Sequence, residues 1–211
     1  MAAEKTTSLK TISNFRSQLT KGGARPNLFE VNLGNFGGAG GSTADWSNSA
    51  ERDFNFLCKA TSIPTQTIGV VDVPFRGRIL KVAGDRTFEP WSVTVINDES
   101  FSIRRAFEAW TEKINNIATG VGDVNPNNYM GNGTIKQLSR SATVTTAAAA
   151  SGTEGKGQDV VQTYKVEEIW PSEIGSIDLS YESSDAIEEF TVTFQVQWFS
   201  SVESKIGQVT A

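Results

Sequence analysis

The sequence predicts a mainly β protein, an antiparallel β-barrel or sandwich with one α-helix. Alternating apolar and polar residues recur in short segments that glycine, proline and asparagine separate, as strands joined by turns require. Within the part of the chain that follows residue 23, only the segment from Asp98 to Ile117 has the three- and four-residue apolar spacing of an amphipathic helix. The length of 211 residues favours one domain with loop insertions.

Residues 1–23 precede the first alternating segment and are predicted to form an N-terminal arm. They are basic, and Leu9, Ile12, Phe15 and Leu19 lie at helical spacing, which predicts a short docking helix. Residues 24–199 are the predicted β domain, and residues 200–211 are a predicted C-terminal tail.

Two alternating segments, residues 28–34 and 52–59, are predicted to be the first strands of the domain. Glycine, serine and asparagine dominate residues 34–49 between them, which predicts an exposed loop insertion. The alternation places the following side chains in the core: Phe29, Phe56 and Cys58.

The middle of the chain combines prolines with arginines. Thr61–Pro74 contains Pro64, Gly69 and Pro74 and is predicted to be an extended connection rather than a tight turn. Phe75–Val82 is strand-like and carries Arg76 and Arg78. Asp85 and Arg86 then lie in a predicted turn, where the aspartate can cap backbone N–H groups. The arginine can pair with a carboxylate across a subunit boundary, although a local turn without function remains the alternative.

The predicted helix begins near Asp98, with Glu99 in its first turn, where the helix dipole favours an acid. Residues 141–157 are low-complexity and cannot bury enough apolar area to become ordered, so a second loop insertion is placed at 132–158. Further core positions are predicted in this region. Trp91 is the inward residue of the strand before the helix, and the apolar stripe of the helix consists of Ile103, Phe107, Trp110, Ile114 and Ile117.

Three strands are predicted in the last third of the chain. Val160–Trp170 ends at Pro171, which lacks a ladder donor, and Ser176–Glu182 alternates. Phe190–Trp198 has the clearest alternation, with Phe190, Phe194 and Trp198 on its core face. Its other face is polar and uncharged, as expected of a wall that meets water or a passing ligand, and consists of Thr191, Thr193, Gln195 and Gln197.

The composition excludes most catalytic chemistry. The chain has no histidine, which removes imidazole acid–base catalysis, and the lone Cys58 can form neither an internal disulfide nor a thiolate zinc site. Asp123-x-Asn125-x-Asn127 begins like a calcium loop, but Asn128 stands where glycine is required. We therefore expect no enzyme activity, cofactor or metal. The net charge of −5 argues against tight nucleic-acid binding, and no apolar run is long enough to be a membrane segment.

Several segments in colinear order resemble the tail tube proteins of contractile-tailed (myovirus, T4-like) bacteriophages. The longest is Val82-Ala83-Gly84-Asp85-Arg86-Thr87-Phe88, followed by Trp91 and Asn97-Asp98. The others are Ala24-Arg25-Pro26-Asn27-Leu28-Phe29-Glu30-Val31, Phe56–Thr61 with Pro64, Val73–Arg78, Trp170-Pro171 with Gly175, and Phe190–Phe194. The N-terminal arm and the two loop insertions depart from the shorter members.

The resemblance implies a tube-like fold shared with type VI secretion, in which hexameric rings stack into a hollow virion tail tube assembled in the host cytoplasm. It implies as partners further copies of the chain, the sheath, the tape-measure protein, the baseplate initiator and the tail terminator, with viral DNA passing transiently through the lumen. Lumen candidates are Thr191, Thr193, Gln195 and Gln197. The expected inter-ring and inter-subunit residues are Pro64, Pro74, Phe75, Arg76, Arg78, Asp85, Arg86 and Glu89.

Two alternatives stay open at this stage. A tube protein of a bacterial contractile injection or type VI secretion system has a similar fold. A β-sandwich carbohydrate-binding module would explain the aromatic residues Trp46, Trp110 and Trp170, and it predicts a monomer that binds glycans and does not polymerise.

Overall fold

The computed structural model describes residues 11–19, 23–34, 48–140, 158–182 and 185–203. Most of residues 34–49 and all of 141–157, with Trp46, lie outside this part. Its helices are α1 (Ile12–Gln18), α2 (Asn48–Leu57) and α3 (Ser102–Ile114), with a 3-10 turn at Pro126–Asn128. Its strands are β1 (Phe29–Gly34), β2 (Cys58–Thr61), β3 (Gln66–Phe75), β4 (Arg78–Phe88), β5 (Trp91–Ile96), β6 (Gly131–Leu138), β7 (Val160–Ile174), β8 (Glu189–Gln195) and β9 (Trp198–Glu203).

The mainly antiparallel β prediction is confirmed, and the strands form two layers that share β7. The strand order is β1-β6-β7-β8-β5-β2, and β9 also pairs with β7. We call the β1-β6-β7-β9 part layer A and the β7-β8-β5-β2 part layer B. The first part of β7 pairs with β6 and β9, whereas its end from Trp170 pairs with β8. One bent strand therefore joins both layers around a single core.

The prediction that Trp170-Pro171 ends a strand is wrong, because β7 continues through this pair to Ile174. Glu168 has a φ of 55° just before the pair, and the register with β8 shifts between Pro171 and Glu173. A proline is tolerated where a bulge already interrupts the ladder. The pair therefore marks the bend between the layers rather than the end of the strand.

The core consists of the inward faces of both layers together with α3. Phe107 of α3 lies 5.9 Å from both Phe54 and Phe194, measured between ring centroids, and Trp91 lies 5.3 Å from Phe194. Edge-on and tilted aromatic pairs of this kind stabilise beyond the area that they bury. Among the predicted core residues, the structure buries Cys58, Trp91, Ile103, Phe107, Trp110, Phe190 and Phe194, and half-buries Phe29 and Ile114.

The predicted second strand is wrong over most of its length, because residues 48–57 form α2 and only the end continues as β2. Phe54 is fully buried, while Phe56 is 80% exposed and is not a core residue. Alternation over three apolar positions fits a strand, but a helix that packs on β1 and α3 buries only one side. The described residues therefore contain α2 in addition to the long helix α3 and to α1, which lies in the segment predicted to be a short docking helix.

The predicted start of the long helix is also wrong. The helix begins at Ser102, and Asp98 caps the preceding turn by accepting hydrogen bonds from the hydroxyls of Ser100 and Ser102. Phe101 between them has a φ of 54°, a left-handed conformation that separates the turn from the helix. At the other end Ile117 is 92% exposed, because the helix ends at Ile114.

Four predicted bounds in the second half of the chain need correction. Ser176–Glu182 is irregular rather than a strand, and the predicted Phe190–Trp198 strand breaks after Gln195 into β8 and β9. Trp198 begins β9 and is 44% exposed, so it is not a core residue of the subunit. Because β6 occupies residues 131–138 and β9 reaches residue 203, the second insertion begins later than 132 and the tail later than 200.

Candidate assembly surfaces

The β3–β4 hairpin is a separate two-stranded sheet that projects from the body of the subunit. Its ladder runs from Gln66 opposite Phe88 to Phe75 opposite Arg78. Arg76 and Gly77 form the two-residue turn with φ values of 45° and 81°, the left-handed pair that short hairpins prefer. The predicted extended connection over Thr61–Pro74 is therefore mostly a strand.

The hairpin is exposed along almost its whole length. Every residue of β3 is exposed, and in β4 only Gly84 and Phe88 are half-buried. At its base Phe88 packs edge-on against Phe199 of β9, with 5.5 Å between ring centroids. A long exposed hairpin with many apolar side chains is typical of a surface that another molecule covers.

The cross-strand register divides the hairpin into two unequal faces. Val71 lies opposite Val82, Val73 opposite Leu80, and Phe75 opposite Arg78. These six side chains therefore share one face, which is apolar except for Arg78. The other face carries Asp72 opposite Lys81 and Pro74 opposite Ile79. The Arg76 guanidinium lies 5.5 Å from the centre of the Phe75 ring at the end of the hairpin.

The structure separates the residues that were expected at interfaces. Pro64 is buried within the subunit, so its side chain is unavailable to a neighbour. Asp85 and Arg86 lie in β4 rather than in a turn, and as successive strand residues they point to opposite faces. Five of the remaining expected residues are exposed on or just beyond the hairpin: Pro74, Phe75, Arg76, Arg78 and Glu89.

The centre of the outer face of layer B is a ladder of uncharged polar groups, while Glu173 opposite Thr193 and the Lys59–Glu189 ion pair lie nearer its edges. The Thr94 Oγ1 and Thr191 Oγ1 atoms are 3.3 Å apart, and Ser92 Oγ lies 3.5 Å from Thr193 Oγ1. Gln195 donates from Nε2 to Ser172 Oγ at 3.3 Å. Three of the four lumen candidates therefore share this face, whereas Gln197 lies in the bend between β8 and β9.

The outer face of layer A is charged by comparison. Lys136 Nζ lies 3.0 Å from Glu30 Oε1, which also accepts hydrogen bonds from Asn32 and Asn55. Burial raises the pKa of Glu30, but the hydrogen bonds from these three side chains outweigh it and hold the pKa below its usual value. Lys165 is exposed on the same face, opposite Thr134.

A third surface lies in the irregular connection between β7 and β8, part of which was predicted to be a strand. It forms an open cavity of about 600 Å³ whose wall includes Ile177, Asp178, Leu179, Tyr181 and Ile187. Leu179 is 79% and Ile187 71% exposed, and Tyr181 is fully exposed. Apolar side chains displayed in this way around a concave site indicate a binding surface.

The described residues offer neither a reactive thiol nor a metal site. Burial raises the pKa of the Cys58 thiol to about 12, which disfavours the nucleophilic thiolate. Among the described residues, no group of three or more metal-binding side chains is placed to hold an ion. None of the described helices is long and apolar enough to cross a membrane.

Comparison with known proteins finds relatives among phage proteins. Tail tube protein gp19 of Enterobacteria phage T4 is 30% identical over 180 residues, which cover 83% of this chain and 90% of that protein. The tail tube protein of Serratia phage KSP90 is 25% identical over 201 residues, covering 93% and 99% of the two chains.

Solved structures with a similar fold come from contractile machines. A chain of the six-fold symmetrised anti-feeding prophage baseplate superposes with a TM-score of 0.57 at 13% identity, over 87% of this chain and 98% of that one. A chain of the sheath–tube complex of an extracellular contractile injection system gives 0.54 at 12% identity, over 92% and 99%. The family profile described as "Phage tail tube protein" matches residues 24–201, and the chain therefore belongs to the phage tail tube protein family.

Proposed function

We propose that this chain is the structural subunit of a contractile-phage tail tube, in which hexameric rings stack into the hollow tube of the virion tail. Family membership over residues 24–201 supports the tube role, and the sequence relatives are phage proteins. The likeness to injection-system chains concerns the fold alone. Trp110 is only 2% exposed and is therefore not available to bind a glycan, which weakens the carbohydrate-binding alternative.

The single observation that carries the proposal is the exposed β3–β4 hairpin. Its apolar face displays Val71, Val73, Phe75, Leu80 and Val82, which a soluble monomer would leave in water. A contact between this face and a different surface of another copy is head-to-tail, and such contacts generate rings or open filaments. Arg86, which lies opposite Ile68 on the other face of the hairpin, and Asp85 and Glu89 near its base carry charges that can pair across subunits.

The proposed partners follow from the tube role. Copies of the chain form rings, the sheath surrounds them, and the baseplate initiator and tail terminator limit the two ends. Solved chains of similar fold come from a baseplate, a sheath–tube complex and a tube-terminating cap, which supports this set. The tape-measure protein and then the viral genome occupy the lumen, and the genome passes to the host when the sheath contracts.

We assign the lumen to the outer face of layer B. Its centre, formed by Ser92, Thr94, Thr191 and Thr193, carries hydroxyls without a charge. DNA phosphates gain binding free energy where lysines or arginines displace their counterions, so a neutral wall lets DNA slide. The outer face of layer A carries the exposed Lys165 besides the Lys136–Glu30 ion pair, and the charge of Lys165 favours contact with phosphates.

Thiol labelling of assembled tubes tests this assignment. In a Cys58→Ala background, Thr193→Cys should react with a small maleimide but resist a maleimide on a polymer too wide for the bore. The matched control is Thr163→Cys, which lies on the outer face of layer A opposite Lys136. Equal reaction of both variants with the wide reagent would place layer B outside.

Negative-stain electron microscopy of the purified chain across a concentration series, with light scattering, tests the proposed function itself. We expect six-fold rings or hollow filaments of uniform bore, forming more readily as concentration rises or when a baseplate initiator is added. A monodisperse monomer at every concentration, with initiator present, would contradict the tube proposal.

A further inference from the structure

We propose that the tip of the β3–β4 hairpin of one copy docks in the open cavity between β7 and β8 of a second copy. The hairpin tip is defined as residues 73–81 and the acidic segment, by sequence, as residues 173–189. Its described residues 176–181 and 186–189 line the cavity. The inference rests on the proposed function, because it requires copies of the chain to associate.

Charge complementarity is the first argument. The hairpin tip carries Arg76 and Arg78 beside the turn, and Lys81, which lies opposite Asp72 just outside the tip; the tip itself contains no acid. The acidic segment carries no lysine or arginine, and its acids are Glu173, Asp178, Glu182, Asp185, Glu188 and Glu189. Opposite charge on two patches selects the partner and fixes its orientation.

Some of these acids are already engaged within the subunit. Glu189 pairs with Lys59, and Glu188 Oε2 accepts a hydrogen bond from Asn97 Nδ2 at 2.9 Å. Asp178, on the cavity wall, forms no ion pair among the described residues. Asp178 is therefore available to pair with a cationic side chain of another copy.

Apolar complementarity is the second argument. Phe75 at the hairpin tip is 67% exposed, and Ile79 beside the turn is 63% exposed. The cavity presents Leu179, Tyr181 and Ile187, and its volume of about 600 Å³ lies in the range that holds ligand-sized groups. An aromatic ring entering this site would bury apolar area on both partners.

The conformation of the hairpin tip is the third argument, because the turn is already fixed in the free subunit. The Arg76-Gly77 turn fixes the ends of both strands, and the Arg76 guanidinium lies over the Phe75 ring. A group held in its bound conformation loses less entropy on docking. Phe75 would occupy the apolar wall, while Arg76 and Arg78 would face Asp178 and the exposed acid Glu182.

Charge reversal with rescue is the first experiment. Arg76→Glu with Arg78→Glu, and separately Asp178→Arg with Glu182→Arg, should each reduce the fraction of sedimentable tubes at least tenfold. Mixing the two variants should restore mixed tubes. Matched controls are Arg105→Glu and Glu99→Arg, exposed sites on or beside α3 that should leave assembly unchanged. Failure of the mixture to recover would overturn the proposed pairing.

Cross-linking is the second experiment and does not depend on charge. Chains carrying Phe75→Cys and chains carrying Leu179→Cys, both with Cys58→Ala, are co-assembled and mildly oxidised. We expect disulfide-linked dimers of one chain of each kind, and no such product when Val124→Cys, at an exposed loop site, replaces Leu179→Cys.

A chain with both Phe75→Cys and Leu179→Cys locates the contact within the assembly. A ladder of products that stops at six places the contact within a ring, whereas longer products place it between rings. Tubes that form without the Phe75–Leu179 cross-link would overturn this inference and leave the proposed function intact. A wild-type chain that never assembles would overturn both.

Discussion

Gly133 of β6, in layer A, lies directly against the indole of Trp91 of β5, in layer B. A Cβ atom added to Gly133 would lie 2.9 Å from Trp91 Cζ3 and 3.3 Å from Ile169 Cδ1. Trp91 has little freedom to withdraw, because it is fully buried and its Nε1 donates to Thr61 Oγ1 and to the Ser62 carbonyl, both at 2.9 Å. Glycine is therefore required here by the packing rather than by backbone conformation.

Gly133→Ala should destabilise the subunit by about 1–3 kcal/mol, the usual cost of overpacking a filled core. Urea unfolding of the unassembled chain measures this cost. Gly23→Ala is the matched control, because nothing lies within 4 Å of a Cβ atom at that position. Equal unfolding midpoints for the two variants would show that the layers are not in close contact at Gly133.

Two phenylalanines should differ sharply in their contribution to stability. Phe107→Ala removes a fully buried ring that touches Phe54, Phe190 and Phe194, and it should cost about 3–5 kcal/mol. Phe56→Ala changes a ring that is 80% exposed and should alter the free energy of unfolding by less than about 0.5 kcal/mol. A large decrease in the free energy of unfolding for Phe56→Ala in the unassembled chain would indicate that Phe56 is a core residue after all.

The hairpin turn should influence assembly without influencing subunit stability. Gly77 has a φ of 81°, so Gly77→Val strains the turn and disorders the hairpin tip. Because the hairpin is exposed along almost its whole length, the unfolding midpoint of the unassembled chain should change little while tube formation falls. Arg76→Asn, which suits the left-handed φ of 45°, should retain the turn, and its loss of assembly would then report the missing charge.

The ion pair on layer A should contribute to acid sensitivity. The pKa of Glu30 is lowered in the folded state, so its contribution to stability is present above the unfolded pKa of about 4.3 and is lost as the pH falls through the folded value. Glu30→Gln should therefore be less stable than wild type at pH 7. The difference should shrink as the pH falls below about 4.3.

The measurement is the urea midpoint as a function of pH. Glu99→Gln, at an exposed site that forms no ion pair among the described residues, is the matched control and should follow the wild-type curve. A Glu30→Gln curve parallel to wild type from pH 7 to about pH 3 would exclude a lowered pKa at Glu30.

Much of the fold was predictable because long alternation survives tertiary packing. Phe190, Val192 and Phe194 face the core as their spacing predicts, and the stripe of α3 buries Ile103, Phe107 and Trp110. Short alternation was less reliable. Three apolar positions around Phe56 fit a strand, yet α2 packs on β1 and turns Phe56 to solvent.

The candidate surfaces were likewise predictable where they depend on the pattern within one strand, and not where they depend on pairing between distant strands. The uncharged residues Thr191, Thr193 and Gln195 could be grouped from one strand, because alternate residues share a face. Their hydroxyl partners Ser92 and Thr94 could not be foreseen, because the register between β5 and β8 is a long-range property. The cavity between β7 and β8 was missed for a related reason: alternating Ile177, Leu179 and Tyr181 resemble a strand until no neighbouring strand pairs with them.

The sequence by itself determined the fold class, the central core residues, the absence of histidine chemistry and the family resemblance, because each depends on residue type and local spacing. Only the tertiary structure decided that β7 bends through Pro171 to join two layers. It also decided that residues 66–88 form an exposed hairpin rather than a connection and a turn. These features depend on which distant strands pair, and pairing is set by the packing of the whole chain around Trp91 and Phe107.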